Sequence, residues 1–518
     1  MDYIMGIDNG GTSTKAAIYD LDGNEIAKCN KNTEMLTPQP FFTERSIREL
    51  WNANCYVIRE AIARSGVNPV DIVGVGVTGH GNGLYLMGED RMPARNGIVS
   101  TDNRATAYID KWYADPRWKT NILPKTKQSM WAGQPMALLA WLNDHEPEVC
   151  DKTKYILMVK DLIRYYLTDQ AALEITDASG INLVNLDTRE YDDELLDFFG
   201  ISNWKDKLPP LIKSSDVGGR VTKRASELTG LVEGTPVSGG VFDIAASPVA
   251  GGLVDSDQLF LVTGTWSINE YITSQPVVDD KLFMTSIYPM ENKWLVTEAS
   301  PTSASNLEWF INTFMQSERR ECEAVGRSIY DYTHELMAST RPDESDLVFF
   351  PYIFGTNAVP NATACFLGAT GYHEKKHFLR AVYEGVAFSA YYHIEKLGRV
   401  NPNLHGPVRI AGGTTNSMVW MHLFADVLDM PLEIVRVKES GTLGAAMSAA
   451  VMTEMYPSIE TAADKMIRLG ERVEPNEDNH QIYMQKYKRY RAVMDKMADV
   501  WTTLQETALP QPADPDAE

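Results

Sequence analysis

The chain has 518 residues, 44% of them hydrophobic and 23% charged, which suits a folded protein with two large domains and argues against disorder. Its 48 basic residues are outnumbered by 70 acidic ones, and a net charge of −22 repels nucleic acid and anionic membranes, so neither is an expected partner. Five scattered cysteines without a CxxC pair predict neither a disulfide framework nor a zinc site, and no apolar run is long enough to span a bilayer; the expectation is a cytoplasmic protein.

The first 30 residues read as a meander. Apolar runs at 3–7 and 15–19 and a third strand from 25 are punctuated by Asn9-Gly10-Gly11 and Asp22-Gly23. Apolar residues at helical spacing then predict a helix from about 46 to 65. The turn Asp8-Asn9-Gly10-Gly11-Thr12-Ser13-Thr14-Lys15 exposes consecutive N–H groups and hydroxyls, which a polyphosphate can use. Asp8 could order water around Mg2+, and Lys15 supplies a positive charge. The same letters also suit an ordinary tight hairpin, because Asn-Gly favours such turns sterically.

Gly74-x-Gly76-x-x-Gly79 matches a dinucleotide fingerprint, but a second glycine-rich, apolar segment at 81–87 follows instead of an amphipathic helix, which rejects a Rossmann site. There is no P-loop, HExxH or GxSxG motif, and the nine histidines form no ligand cluster. His145-Glu146 falls at the end of a Trp/Leu-rich helix and reads as solvated surface.

Small residues at 234–240 lead into Val241-Phe242-Asp243, the composition of a hinge or of close contact between backbone and ligand. Asp243 is the candidate general base: a hydroxyl that attacks phosphorus must lose its proton, and a nearby carboxylate can accept it. The competing reading is a helix N-cap before Ile244. A second strand–turn–strand follows, with strands at 258–262 and 267–272 around Thr263-Gly264-Thr265, which suggests two related domains. Helices are predicted at 377–397 and 419–428. Between them a strand at 408–410 runs into Ala411-Gly412-Gly413-Thr414-Thr415-Asn416-Ser417, which suits a nucleotide-facing turn or a glycine-led N-cap. The Pro- and Asp-rich end, 508–518, is expected to be a disordered tail.

Taken in order, DNGGTSTK at 8–15, TGHGNG at 78–83, STDNRA at 100–105, GGVFD at 239–243, TGTW at 263–266, AGGTTNS at 411–417 and SGTLGAAMSAA at 440–450 resemble the FGGY family of carbohydrate kinases. The resemblance runs from about residue 2 to about residue 490 and takes in the segment 371–384, similar to the family's C-terminal signature. It implies an α/β fold of two actin-like (RNase H-type) domains, a sugar-binding one at 1–245 and a nucleotide-binding one at 246–490, with the active site in the cleft between them. It implies ATP and Mg2+, a small sugar or polyol as substrate, and a possible homodimer, since FGGY-like enzymes are often dimers.

By the same resemblance, Asp243 matches the catalytic base, Thr12 and Ser13 the first phosphate loop, Thr265 the second, and Gly412, Gly413, Asn416 and Ser417 the nucleotide-side turn. Family members acting on D-xylulose carry Met-His where this chain has Gly81-Asn82. The pattern GHGNGLYLM with NGIVSTDNRA is most similar to the L-xylulose kinase branch. The expected sugar contacts are therefore Gly81, Asn82, Asp102, Arg104 and Trp131, with Asp102 accepting from a hydroxyl, Arg104 orienting it, and Trp131 stacking on the sugar or lying in the core. A ketopentose such as L-xylulose is the expected substrate. The alternatives are a polyol kinase (erythritol, ribitol) and an actin-like ATPase switch.

Overall fold

The structure is a computed structural model and describes residues 1–264 and 266–507. Thr265 of the second small-residue turn and the segment 508–518 lie outside the described residues. By packing, the chain forms two compact units, each discontinuous in sequence. The first comprises Met1–Ser256, Glu270–Thr297 and Arg436–Arg468; the second comprises Asp257–Asn269, Glu298–Val435 and the chain from Leu469 onward. Two seven-stranded sheets are present.

In the first unit the meander is β1 (Tyr3–Asn9), β2 (Ser13–Asp20) and β3 (Glu25–Asn32), antiparallel throughout, with Asp8 opposite Lys15 and Asn9 opposite Thr14. Alternating apolar residues put Ile7 and Ile18 in the core, where a fully buried side chain of this size is worth about 1.5–3 kcal/mol. Helix α1 (Ile47–Ser65) begins where Ser46 accepts from the Glu49 N–H and ends at left-handed Gly66; its buried face includes Leu50, Val57 and Ile58.

The strand Ile72–Gly79 runs parallel to β1 and holds all three glycines of the rejected dinucleotide fingerprint. Close packing explains two of the glycines in this sheet. A Cβ on Gly76 would lie 1.8 Å from the Ala445 carbonyl oxygen, and one on Gly6 would lie 1.9 Å from that of Thr442. The helix Ser440–Met452 thus rests directly on the backbone of β1 and Ile72–Gly79, which returns a late segment of the chain to the first unit. The short strand Val241–Phe242 pairs in parallel with the end of Ile72–Gly79, placing Val241 beside Thr78 and Phe242 beside Gly79.

In the second unit the strands Leu259–Thr263, Val408–Ala411 and Leu432–Val435 are parallel, with Leu469–Val473 antiparallel to the last. The predicted helices are present as Lys375–Val400 and Met418–Leu428, and Glu477–Glu506 is a further long helix. Among the described residues no helix is long and apolar enough to cross a membrane, and all five cysteines are free thiols.

Candidate active site

The turn between β1 and β2 is held from below by side chains. Asn54 of α1 donates to Asn9 Oδ1 at 2.8 Å, Thr14 Oγ1 donates to the same oxygen at 3.0 Å, and Arg45 donates to the Gly10 carbonyl at 3.0 Å. Asn9 and Thr14 are thereby consumed in building the turn. Thr12 is exposed and Ser13 half-buried, and neither hydroxyl bonds to another described residue. Lys15 does not float: its Nζ lies 2.7 Å from Glu439, which also holds Lys28 at 3.0 Å.

Beside it, a Cβ on Gly441 would stand 2.7 Å from Asp8 Oδ2, so the start of the helix Ser440–Met452 closes over this carboxylate. Burial pushes the Asp8 pKa up to about 6, with Lys15 pulling it down and Glu439 pushing it up.

Asp243 is the first residue of the helix Asp243–Ala250; the N-cap position falls on Phe242, which makes no side-chain cap bond. The Asp243 carboxylate faces the backbone N–H groups of Ile244 and Gly81. Burial, and then the charges of Asp8 and Asp177, hold its pKa well above the ordinary carboxylate value. Two carboxylates from other segments thus add to the proton affinity of Asp243, which favours it as a proton acceptor. A fourth, Glu270, is buried, with its pKa driven well above normal by burial; Thr297 donates to its Oε1, while its Oε2 has no hydrogen-bond partner among the described residues.

The segment after Thr78 forms the other wall. Asn82 is buried in the left-handed region at φ 59°, and its Oδ1 has no hydrogen-bond partner among the described residues. His80 donates to or accepts from Tyr85 OH at 2.9 Å, and burial lowers its pKa to about 4, so the ring is neutral. Gly81 is packed against an aromatic ring, since a Cβ there would lie 2.1 Å from Phe242.

Asp102 is fully engaged: Arg104 donates to it from N, Nε and Nη2 at 2.9, 3.0 and 2.9 Å, and the Thr43 N–H donates at 2.7 Å. Arg104 thus orients this carboxylate, whose oxygens are taken up by Arg104 and Thr43 rather than left for a sugar hydroxyl. The unspent group is Arg104 Nη1, buried and without a hydrogen-bond partner among the described residues, while the guanidinium sits 3.9 Å from the Phe42 ring centroid. Trp131 is half-buried and stacks on Phe283 at 5.3 Å.

Sequence reasoning did not single out Thr78, Asp177 or Asn182; the buried Asp177 carboxylate lies 3.3 Å from Lys160 Nζ, and Thr78 Oγ1 and Asn182 Oδ1 are buried without a hydrogen-bond partner among the described residues. Such an atom costs about 1–3 kcal/mol unless a ligand or water takes it. For Asp177 and Asn182 the only signal was the polar cluster Thr176-Asp177-Ala178-Ser179-Gly180-Ile181-Asn182, which carries no motif of its own, whereas Thr78 opens the quoted TGHGNG motif.

In the second unit Gly412 adopts φ 104°, and a Cβ there would lie 2.5 Å from the Thr263 carbonyl, so the two strand ends touch. A short 3-10 turn Gly413–Asn416 follows, and Ser417 caps the helix Met418–Leu428 by accepting from the Trp420 N–H. Thr263 and Thr414 join through their hydroxyls. Gly413, Asn416 and Ser417 line a cavity of about 560 Å3 together with Tyr330, His334 and Trp420. That volume lies within the range of small-molecule sites, and Cβ atoms on Gly264 and Gly413, which also border it, would meet nothing within 4 Å. The helices Ser305–Phe314 and Ile329–Ala338 supply walls that no motif announced.

A turn of free hydroxyls and a half-buried carboxylate with raised proton affinity in the first unit, and an aromatic-walled cavity beside a glycine turn in the second, are groups that a phosphotransferase needs. The chain matches the FGGY carbohydrate kinase N-terminal domain over residues 3–250 and the C-terminal domain over 259–453. It belongs to the FGGY family of carbohydrate kinases, which use ATP as phosphate donor, and has their two-domain actin-like fold. It is 37% identical over 495 residues to a probable L-xylulose kinase of Pasteurella multocida, covering 95% of this chain and 98% of the relative. It is 34% identical to the L-xylulose/3-keto-L-gulonate kinase of Escherichia coli K12, covering 98% and 99%. The crystal structure of a xylulose kinase from Rhodospirillum rubrum superposes with a TM-score of 0.86 at 23% identity, covering 96% of this chain and 100% of that one.

Proposed function

We propose that this protein transfers the γ-phosphoryl group of ATP to a hydroxyl of a small keto sugar, a ketopentose such as L-xylulose or the related six-carbon keto-sugar acid 3-keto-L-gulonate. The observation that carries the reading is the Asp243 carboxylate, facing the Gly81 N–H next to the orphaned Asn82 oxygen, with its proton affinity raised by burial and by Asp8 and Asp177. Asp243 accepts the proton of the attacking hydroxyl; a raised pKa makes it a stronger base than an exposed carboxylate. Asn82 Oδ1 accepts from a sugar hydroxyl, Arg104 Nη1 donates to a sugar oxygen, and Trp131 and Gly81 shape the pocket, with Asp102 holding Arg104. The sugar contacts fall within residues 1–245 and the nucleotide turn within 246–490, of which Glu270–Thr297 and Arg436–Arg468 pack with the first unit. Gly412, Gly413, Asn416 and Ser417 border the nucleotide. Thr12, Ser13 and Thr265 donate to phosphate oxygens, and Lys15 adds its charge while tethered to Glu439.

Mg2+ fits these residues as an ion carried by the polyphosphate. Among the described residues no three His, Cys, Asp or Glu side chains gather into a cage, and Asp8 is a half-buried carboxylate suited to accept from metal-bound water. Bound Mg2+ neutralises charge on the phosphates. ATP as donor and five free thiols support a cytoplasmic location.

The test is ADP release by the purified protein with MgATP, with and without L-xylulose, across ketoses, keto-sugar acids and polyols. Strong stimulation by L-xylulose or 3-keto-L-gulonate is expected. Stimulation by polyols alone, or ATP turnover indifferent to every sugar, would overturn the reading.

A further inference from the structure

Asp243 follows directly on Phe242, so whatever fixes Phe242 fixes the root of the base. The Phe242 N–H donates to Thr176 Oγ1 at 3.0 Å, and that hydroxyl donates to Glu174 Oε2 at 2.7 Å. A hydroxyl has one proton to give, so the chain runs one way, from Phe242 through Thr176 into Glu174.

Glu174 is fully buried, and the groups around its carboxylate all donate. The Thr176 N–H lies 2.8 Å and Ser214 Oγ 2.7 Å from Oε1, and Lys160 Nζ is 3.5 Å from Oε2. Only an acceptor-only group of this shape satisfies them all; an amide would turn a donor toward a donor. Lys160 also pairs with Asp161 at 2.9 Å and Asp177 at 3.3 Å, and Arg164 holds Asp161 at 2.8 Å, every side chain without solvent exposure. An ion cluster buried this deeply is poor value for stability alone, because desolvation offsets most of the attraction.

The ring of Phe242 is fixed as well. It stands where a Cβ on Gly81 would come, 2.1 Å away, and lies within contact of the place of a Gly180 Cβ at 3.4 Å; Gly81 is the residue whose N–H faces the Asp243 carboxylate. Phe242 is therefore gripped by its backbone from one side and by its ring from the other.

We propose that Glu174, Thr176 and Phe242 form a positioning relay that sets where the Asp243 carboxylate stands against the turn of Gly81 and Asn82. These are positioning residues, since none of them is placed on substrate. The proposal rests on Asp243 being the base.

Steady-state kinetics of the full-length enzyme with L-xylulose and MgATP, at a temperature where circular dichroism shows each variant folded, tests it. Thr176→Val keeps the shape of the side chain and removes the hydroxyl. It is expected to lower kcat by about 10–100-fold with both KM values within about twofold of wild type, the signature of a displaced reacting group. Thr176→Ser, which restores the hydroxyl, is expected to recover most of kcat, and Glu174→Gln to behave like Thr176→Val. A Val variant as fast as wild type, a Ser variant as slow as Val, or a loss confined to KM would each overturn the relay. Should Thr176→Val not fold, Glu174→Gln carries the same criterion. Failure of the functional reading looks different: the wild type then shows no sugar-dependent ADP release, or Asp243→Ala keeps full turnover, and the relay falls with it.

Discussion

The ring of Phe242 occupies the place where a side chain at position 81 would begin, 2.1 Å from the Cβ that Gly81 lacks. The two residues are 161 positions apart in the sequence, yet parallel pairing of Val241–Phe242 with the end of Ile72–Gly79 sets them face to face beside Asp243. The identity of residue 81 and that of residue 242 are thus one structural decision.

Gly81→Ala should therefore lower Tm, since overpacking a filled site costs about 1–3 kcal/mol, and should lower kcat/KM for the sugar. Adding Phe242→Leu is expected to restore much of the lost Tm. Thermal unfolding of wild type, the two single variants and the double variant checks this, and additive losses in the double variant would refute the coupling.

Asp243→Ala should cut kcat by about 10²–10⁴-fold while the protein stays folded, because a general base is lost and only a half-buried carboxylate of raised proton affinity is removed. ADP release and circular dichroism on the same preparation measure both.

The pH profile follows from the direction of the Asp243 shift. The base works ionised, so kcat/KM should rise with pH on an acid limb whose midpoint lies above the ordinary value of 3.8. A profile flat down to pH 4 would contradict the raised proton affinity.

Asp8 should trade stability for activity. Its pKa is about 6 in the folded protein against 3.8 for the free side chain, so the folded state binds the proton more tightly than the unfolded one. The sign is then definite: ionised Asp8 destabilises the fold, a penalty absent below pH 3.8 and complete above about pH 6. Asp8→Asn is expected to gain about 1–3 kcal/mol at pH 8 without ATP, to show no gain near pH 3.5, and to lose most of its activity. Denaturant melts at the two pH values measure the first two.

Gly413→Val tests the nucleotide cavity. A Cβ there meets no atom within 4 Å, so Tm should hold, while the isopropyl group projects into the cavity that Asn416 and Trp420 also line. KM for ATP should rise at least about 10-fold, as expected for steric loss of more than about 1.4 kcal/mol of binding, with KM for the sugar unchanged.

Local order was legible in the letters. The meander, α1 with its Ser46 cap and the glycine turn after Val408–Ala411 depend on side-chain periodicity and turn chemistry within a few residues. The motif order alone reached the family and pointed to Asp243. What the letters could not show is which distant segments share a boundary. Nothing local says that Ser440–Met452 belongs with β1; that follows from Gly6 and Gly76 having no side chains, which lets a helix lie on the sheet backbone. Nothing local says that Lys15 is tied to Glu439, that Asp102 is spent on Arg104 and Thr43, or that Thr176 grips the residue before the base. Burial and hydrogen-bond partnership belong to pairs of residues far apart in sequence, so only the tertiary structure decides which polar groups are consumed in holding the fold and which are left for substrate.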